Sequence, residues 1–228
     1  MFITILTTGS RGDTQPYIAL GLALQKTGRQ VRIAAFENYA SFVQDYGLEF
    51  FPIHGDVSKV AASISGQEGM RTDNPLKFAL SINKLKQYVF DLQKDFFAAC
   101  AGSDAVVYHP GATIGYFAAQ RLGVPSILAT PFPMAPTRAY PSIIFYEQLR
   151  LGGTANLLSH KMTEQVLWAA SNGPVKEFWK KEFGRLPKGF GSPFPRQTTR
   201  RLPTIISCSN HVFARPADWP QHVHNTGY

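Results

Sequence analysis

The sequence predicts an α/β fold in which a parallel sheet is covered by helices on both faces. Short apolar runs that are typical of buried strands alternate with longer stretches of helical periodicity. Every apolar run ends in a polar or Gly/Pro-containing loop. The intervals between the runs are long enough for the right-handed helical crossovers that parallel strands require.

The first part of the chain contains three predicted strands joined by two helices. Their order is strand 2–7, helix 15–26, strand 31–36, helix 39–45 and strand 48–53. Pro16 is expected in the first turn of the first helix, because its fixed φ suits that position. The core-facing stripe of this helix is expected to contain Ile18, Leu22 and Ala23.

The rest of the chain continues the alternation. Residues 57–71 lack a clear pattern and are interpreted as a loop or a short helix. The predicted order is then helix 73–101, strand 104–108, helix 113–122, strand 125–129, helices 156–170 and 175–183, and strand 203–208. A turn at 216–220 follows. We therefore interpret residues 1–228 as one Rossmann-like domain.

The loop after the first strand is the first candidate site. Open parallel sheets bind ligands at the carboxyl ends of their strands, where loop amides and helix N-termini converge. This loop contains Gly9, Ser10, Arg11, Gly12 and Asp13. Its glycines permit a sharp turn and a close approach to a ligand. Asp13 has two interpretations, an N-cap or a carboxylate that accepts a proton from a hydroxyl, and its position alone favours the cap.

Two further loops are expected at the same edge of the sheet. His109 follows the fourth strand, so it should point into the same crevice as Asp13, although a lone histidine is more often a loop residue than a catalyst. The segment 130–141 contains four prolines and is too stiff for a helix or a strand. Its aromatic and methionine side chains suit the wall of a site for an apolar ligand.

The formal net charge of +8 indicates an anionic partner, which is a phosphate-bearing ligand, a membrane surface or nucleic acid. Most of this charge lies in residues 174–201, where eight Lys and Arg face two Glu and aromatic residues are interleaved. Such a stretch suits an anionic membrane. The residues proposed for that surface are Lys180, Lys181, Arg200 and Arg201. A non-catalytic module that docks on a membrane or a partner chain is therefore the alternative function.

Several function classes lack support in the sequence. The His and Cys residues show no metal-ligand spacing, and no Walker lysine follows a glycine loop. The 9–12 loop lacks the third glycine of the dinucleotide fingerprint, and only Glu37 after the second strand leaves that interpretation open. Cys100 and Cys208 are predicted to be buried free thiols. The apolar run at 2–7 is too short for a signal peptide, so we expect a cytosolic protein in peripheral contact with a membrane.

The first loop reads Thr8-Gly9-Ser10-Arg11-Gly12-Asp13-x-x-Pro16. This run resembles the opening of glycosyltransferases of the sterol glucosyltransferase and glycopeptide-antibiotic type. The resemblance continues at Gly47-Leu48-x-Phe50-x-Pro52, Arg215-Pro216-x-Asp218-Trp219-Pro220 and Thr226-Gly227-Tyr228. It implies the N-terminal, acceptor-binding half of a two-domain GT-B fold, without the C-terminal donor-binding domain.

The resemblance also implies a reaction, with Asp13 in the position of the acceptor-activating base. A hexose, preferably glucose, would pass with inversion from a UDP-sugar to a hydroxyl of a sterol or other lipid-like acceptor, with no metal or cofactor. His109 is the second catalytic candidate. The expected acceptor-binding residues are Ser10, Arg11, Gly12, Pro131, Phe132, Met134, Thr137 and Arg138. The expected partners are the acceptor and a donor-binding domain or complementary chain, not nucleic acid, and the isolated chain is expected to have little or no activity.

Overall fold

The structure is a computed structural model that describes residues 1–55, 90–145 and 152–227. Within these ranges seven strands form one sheet, in which every neighbouring pair is parallel. The strands are β1 (Phe2–Leu6), β2 (Gln30–Phe36), β3 (Glu49–Ile53), β4 (Ala105–Tyr108), β5 (Ser126–Thr130), β6 (Thr204–Ile206) and β7 (Val223–Asn225). Their order is β3-β2-β1-β4-β5-β6-β7, which reverses direction between β1 and β4. A ligand crevice is expected at that switch point.

Helices cover both faces of the sheet, as predicted. They are α1 (Arg11–Lys26), α2 (Ala40–Gln44), α3 (residues 90–99 of the described chain), α4 (Ile114–Leu122), α5 (Gly153–Phe183) and α6 (Phe194–Thr199), with short 3-10 helices at Glu37–Tyr39 and Ile143–Phe145. Alternate strand residues supply two separate cores. Ile5 of β1 packs with Tyr17 and Ile18 of α1, whereas Leu6 packs with residues of α4 and α5 such as Phe117 and Phe178.

Helix α1 begins four residues earlier than predicted. Ser10 is its N-cap, and the side chain of Asp13 in the first turn accepts a hydrogen bond from the Ser10 backbone N–H. This capping-box arrangement stabilises the helix start. Pro16 is consequently an interior residue of α1 and not part of its first turn, so the Gly12 carbonyl receives no hydrogen bond from residue 16.

The buried stripe of α1 also differs from the prediction. Ile18 is buried as expected, but Leu22 is half-buried and Ala23 is exposed. The buried residues are Thr14, Tyr17, Ile18 and Gly21. The shift follows from close packing at Gly21, where a Cβ would lie 3.2 Å from the Leu48 methyl carbons. The helix therefore faces the sheet through its smallest residue.

Residues 153–183 form one helix, whereas the sequence predicted two, at 156–170 and 175–183. Pro174 lies inside α5 without ending it. The turn after Pro174 places Val175, Phe178 and Trp179 in the core, all at most 4% exposed. Of the aromatic residues in the basic stretch, Phe178, Trp179 and Phe194 are buried and Phe183 and Phe190 are half-buried, so the expectation of a fully shared cationic and aromatic surface is wrong. Helical periodicity separates the two kinds of side chain onto opposite faces.

The remaining predictions match to within a few residues, but strand β7 and helix α6 were not predicted. β7 pairs with β6 at three positions, whereas the sequence predicted no strand after the turn at 216–220. The predicted loop at 57–71 and residues 73–89 of the predicted helix lie outside the described residues. Cys100 and Cys208 are both buried and free, as predicted. Among the described helices none is long and apolar enough to cross a bilayer.

Candidate functional site

Asp13 lies at the carboxyl end of β1, in the first turn of α1. Its Oδ2 atom accepts hydrogen bonds from the Ser10 backbone N–H at 2.7 Å and from the Ser10 hydroxyl at 3.0 Å. Its Oδ1 atom faces His109, and 28% of the side chain remains accessible to solvent. The helix terminus favours the negative charge. The capping and catalytic interpretations are therefore compatible, because one oxygen caps the helix and the other stays available.

Gly9 makes room for this carboxylate. Its φ is +113°, a conformation that L side chains rarely adopt. A Cβ at this position would lie 2.3 Å from Asp13 Oδ2, far inside van der Waals contact. The glycine is therefore required twice, for the backbone turn and for the position of Asp13.

His109 follows β4 directly and is 8% exposed. Its Nδ1 atom accepts a hydrogen bond from the Gly111 backbone N–H at 3.0 Å, so the proton of the neutral ring lies on Nε2. Nε2 is 3.8 Å from Asp13 Oδ1 and has no hydrogen-bond partner within the described part of the chain. Burial lowers the pKa of His109 to about 4, and the negative charge of Asp13 opposes this shift only in part. The imidazole is therefore neutral at pH 7 and can donate to the carboxylate.

Two aromatic rings surround the imidazole. The ring centroids of Tyr17 and Phe132 lie 6.0 and 6.4 Å from that of His109, both in edge-to-face geometry. The Tyr17 hydroxyl donates to the Ala129 carbonyl at 2.6 Å. Burial and the nearby Asp13 charge raise the pKa of Tyr17, so the phenol keeps its proton. Sequence reasoning did not select Tyr17, although its place four residues after Asp13 on one helix face was a usable signal.

The proline-rich loop follows β5 and brings Phe132 to this pair. Phe132 is half-buried, but Met134 is only 3% exposed and packs in the core beneath the loop. The Pro131 carbonyl accepts a hydrogen bond from the Cys208 thiol at 3.2 Å. Of these three predicted acceptor-binding residues, Phe132 is the one whose ring lies against His109.

The other predicted residues of this loop are tied to the C-terminal turn. The Thr137 hydroxyl donates to Asp218 Oδ1 at 2.6 Å, and the Arg138 backbone N–H donates to Oδ2 at 2.7 Å. The Trp219 indole N–H donates to the Ala135 carbonyl at 3.1 Å. Asp218 therefore holds the loop in place. The sequence drew attention to the 215–220 run but did not indicate this role of Asp218. The Arg138 side chain itself is exposed.

The first-loop residues are exposed beside Asp13. Ser10, Arg11 and Gly12 are all solvent-accessible, and the Arg11 guanidinium lies 4.6 Å above the Phe42 ring. This stacking draws the Arg11 head group toward α2. The crevice next to Asp13 is therefore bordered by the backbone of the loop and less by the side chain of Arg11.

The predicted membrane surface is exposed, and none of its residues contacts Asp13 or His109 within the described ranges. Lys180, Lys181, Arg200 and Arg201 are all solvent-accessible and form no ion pair among the described residues. Lys181 Nζ lies 4.4 Å above the Phe90 ring. The four cations are thus exposed to solvent, whereas Phe178 and Trp179 are buried in the core. Within the same described ranges, His, Cys, Asp and Glu side chains form no group of three that could hold a metal ion.

A seven-stranded parallel sheet with helices on both faces defines the class of protein. Solved structures share this fold. SsfS6, a glycosyltransferase of Streptomyces sp. SF2575, aligns with a TM-score of 0.52 at 22% identity, over 91% of this chain and 50% of its own. The glycotransferase of kitacinnamycin aligns with a TM-score of 0.61 at 15% identity, over 99% of this chain and 51% of its own. The class is the GT-B glycosyltransferases, which confirms the predicted fold.

The chain belongs to glycosyltransferase family 28, whose N-terminal domain matches residues 3–141. Curated relatives are similar along its whole length. The sterol 3-beta-glucosyltransferase of Yarrowia lipolytica is 33% identical over 228 residues, which are 100% of this chain and 15% of that protein. The sterol 3-beta-glucosyltransferase of Candida albicans is 34% identical over 99% of this chain and 14% of its own length. The chain therefore spans about one seventh of the length of these relatives.

Proposed function

We propose that this chain is the acceptor-binding half of an inverting glycosyltransferase that moves glucose from UDP-glucose to the hydroxyl of a sterol. The observation that carries the proposal is the 33% identity over the entire chain to a protein named sterol 3-beta-glucosyltransferase. That name describes the relative. It supports glucose as the transferred sugar and a sterol as the acceptor here, because the alignment spans the whole chain and so includes the loop around Asp13.

The proposed reaction uses Asp13 as the general base. Its Oδ1 atom takes the proton of the acceptor hydroxyl while the hydroxyl oxygen forms a bond to the anomeric carbon of glucose. The bond from that carbon to the diphosphate oxygen breaks, and UDP leaves with the electron pair. Because the acceptor attacks from the face opposite the leaving group, the configuration at the anomeric carbon inverts.

His109 acts in this proposal as a positioning residue. Its Nε2 proton faces Asp13 Oδ1 across 3.8 Å, so a small movement brings the two atoms into hydrogen-bond contact. The neutral ring donates without adding a positive charge that would weaken the base. The rings of Tyr17 and Phe132 pack around the imidazole and limit the access of water.

The donor is proposed to be held by a second domain or a complementary chain. This chain covers about half of the solved glycosyltransferases that share its fold, 50% of SsfS6 and 51% of the kitacinnamycin enzyme. We therefore expect the 228 residues alone to transfer little or no glucose. Transfer should require a protein that carries both halves.

The test uses such a protein with radiolabelled UDP-glucose and cholesterol. Cholestane, which lacks the hydroxyl, is the matched control. We expect a β-linked steryl glucoside, identified by the coupling constant of its anomeric proton, and no product from cholestane. Transfer to other alcohols but not to the sterol would contradict the proposed acceptor. An α-linked product would contradict inversion.

A second function is favoured by the four exposed cations of the 174–201 stretch. We propose that Lys180, Lys181, Arg200 and Arg201 hold the protein against an anionic membrane on its cytosolic side. Their exposure and lack of ion pairs within the described ranges support this attachment. The inward position of the neighbouring aromatic residues favours electrostatic contact over insertion.

A further inference from the structure

A cavity of about 560 Å³ lies between the proline-rich loop, helices α5 and α6 and the start of β7. Its size is within the range of pockets that hold small molecules. Apolar side chains form much of its wall, namely Ala135, Pro136, Leu157, Pro195, Pro220 and Val223. Exposed residues, among them Lys161 and Gln165, lie at its rim, so the cavity opens to solvent there.

Glu164 of α5 lines this cavity and has no role in the site around Asp13. The residue is 6% exposed. Within the described chain its carboxyl group makes no hydrogen bond and no ion pair, and its oxygens stay in contact with the solvent of the cavity. Buried carboxyl groups are normally paired, because leaving one without a partner costs free energy. A carboxyl group in an apolar cavity that solvent can reach therefore marks a position for a ligand's polar group.

The protonation state of Glu164 and the charges of the lining residues indicate which polar group the ligand carries. Burial raises the pKa of Glu164 to about 7, and the nearby Lys161 opposes the shift. A protonated carboxyl group offers one donor and one acceptor, which a hydroxyl group matches. The cations Arg138 and Lys161 and the carboxyl groups of Glu164 and Asp218 all line the cavity. Since both signs of charge are present, the lining favours a neutral ligand over an ammonium group or a carboxylate.

We propose that this cavity binds a small neutral alcohol, whose hydrocarbon body covers the apolar wall and whose hydroxyl group pairs with Glu164. Val223 of the wall belongs to β7, four strands away from β1 in the sheet. At about 4.8 Å per strand, that wall is roughly 19 Å from the strand that leads to Asp13. The Val223 wall and Glu164 thus lie apart from Asp13, while Arg138, expected to bind the acceptor, lines the cavity from the proline-rich loop. The inference does not rest on the proposed transfer of glucose.

The test measures binding of adamantanol to the chain by isothermal titration calorimetry. Adamantylamine and adamantane carboxylate are matched controls that replace the hydroxyl group on the same apolar body. We expect adamantanol to bind most tightly. Glu164→Leu should weaken its binding about fivefold, as removal of one hydrogen bond does, whereas Glu164→Gln, which keeps a donor and an acceptor, should retain it.

A second variant tests the cavity itself. Leu157→Trp fills space next to the apolar wall and should abolish binding, while its circular dichroism spectrum stays that of the wild type. No saturable binding of adamantanol would overturn the proposal. So would tighter binding of adamantylamine, or unchanged affinity in both Leu157→Trp and Glu164→Leu. If Glu164→Leu does not fold, Leu157→Trp and Glu164→Gln decide the question by the same criteria.

Discussion

His109 and Glu164 are buried ionisable residues whose pKa values move in opposite directions on folding. Burial lowers the pKa of His109 to about 4 and raises that of Glu164 to about 7. At neutral pH the structure therefore holds a neutral imidazole next to Asp13 and a partly protonated carboxyl group in the α5 cavity. Each shift predicts a dependence of stability on pH, and the two have opposite signs.

Replacement of His109 by Gln should reduce the loss of stability in acid. As the pH falls from 6.5 to 4, the unfolded chain binds a proton on His109 that the folded chain excludes, so the wild type loses roughly 2–3 kcal/mol. The His109→Gln variant should not show this decrease in the free energy of unfolding. Urea unfolding at neutral pH and at about pH 4.5 measures the decrease. The control His224→Gln, at an exposed histidine, should keep the wild-type loss, and equal acid sensitivity in both variants would refute the shift.

Replacement of Glu164 by Gln should stabilise the protein in alkali. The folded state keeps the Glu164 proton between pH 4.5 and 7, so stability from this group is present below 4.5 and is lost as the pH rises through 7. We expect Glu164→Gln to exceed the wild type by roughly 1–3 kcal/mol at about pH 8 and to match it near pH 4. The exposed Glu177→Gln is the control. No gain at about pH 8 would show that the carboxyl group is ionised without penalty.

The sequence identified some residues of the site and missed others for a physical reason. Asp13 and His109 were found because both follow strands that end at one edge of the sheet. Gly111 and Tyr17 hold His109 in place, but their role depends on the orientation of the ring, which has no sequence pattern. Glu164 was missed because a single carboxylate on a helix looks like a solvated residue until its burial is known.

Helix α4 sets the path of the chain after His109, and its approach to the sheet depends on Gly115. A Cβ on Gly115 would lie 2.8 Å from both Leu6 Cδ1 and Tyr108 Cβ. Gly115→Ala should therefore destabilise the fold by about 1–3 kcal/mol through overpacking. Gly173→Ala in α5 is the matched control, since a Cβ there meets nothing within 4 Å, and it should be neutral or stabilising. Similar urea midpoints for the two variants would contradict the close approach.

The bounds of the helices are where local sequence rules gave wrong predictions. The sequence predicted two helices separated by residues 171–174, but the helix continues through Pro174, and Val175, Phe178 and Trp179 pack in the core on its far side. The start of α1 was placed too late because the capping pair of Ser10 and Asp13 was not recognised. The strands were placed to within three residues, except β7, whose three residues are too few to show a pattern.

The topology of the whole molecule was predictable, whereas its surface was not. Alternating strands and helices determine a parallel sheet, and the family match and the GT-B structures confirm it. The basic stretch at 174–201 looked like a mixed cationic and aromatic surface, because composition does not tell which side chains face the core. Burial of Phe178, Trp179 and Phe194 leaves a mainly cationic surface, at which Phe183 and Phe190 are only half-exposed.

This cationic surface predicts membrane binding that depends on salt. Neutralising Lys180, Lys181, Arg200 and Arg201 to Gln should weaken sedimentation with phosphatidylserine vesicles at least tenfold, since each cation contributes about 1 kcal/mol near an anionic membrane. Vesicles of phosphatidylcholine alone should bind neither protein. A control that neutralises Lys26 and Arg29 should bind as the wild type does. Undiminished binding of the fourfold variant would remove the second proposed function.

The role of Asp13 as the base is central to the proposed reaction, and Asp13→Asn tests it most directly in a protein that carries both halves. Asn retains an oxygen that can accept the Ser10 hydrogen bond, so the helix cap is kept while the basic oxygen is lost. We predict that kcat for glucose transfer to cholesterol falls about 100-fold or more, with KM for UDP-glucose unchanged. A kcat within about twofold of the wild-type value would contradict the assignment.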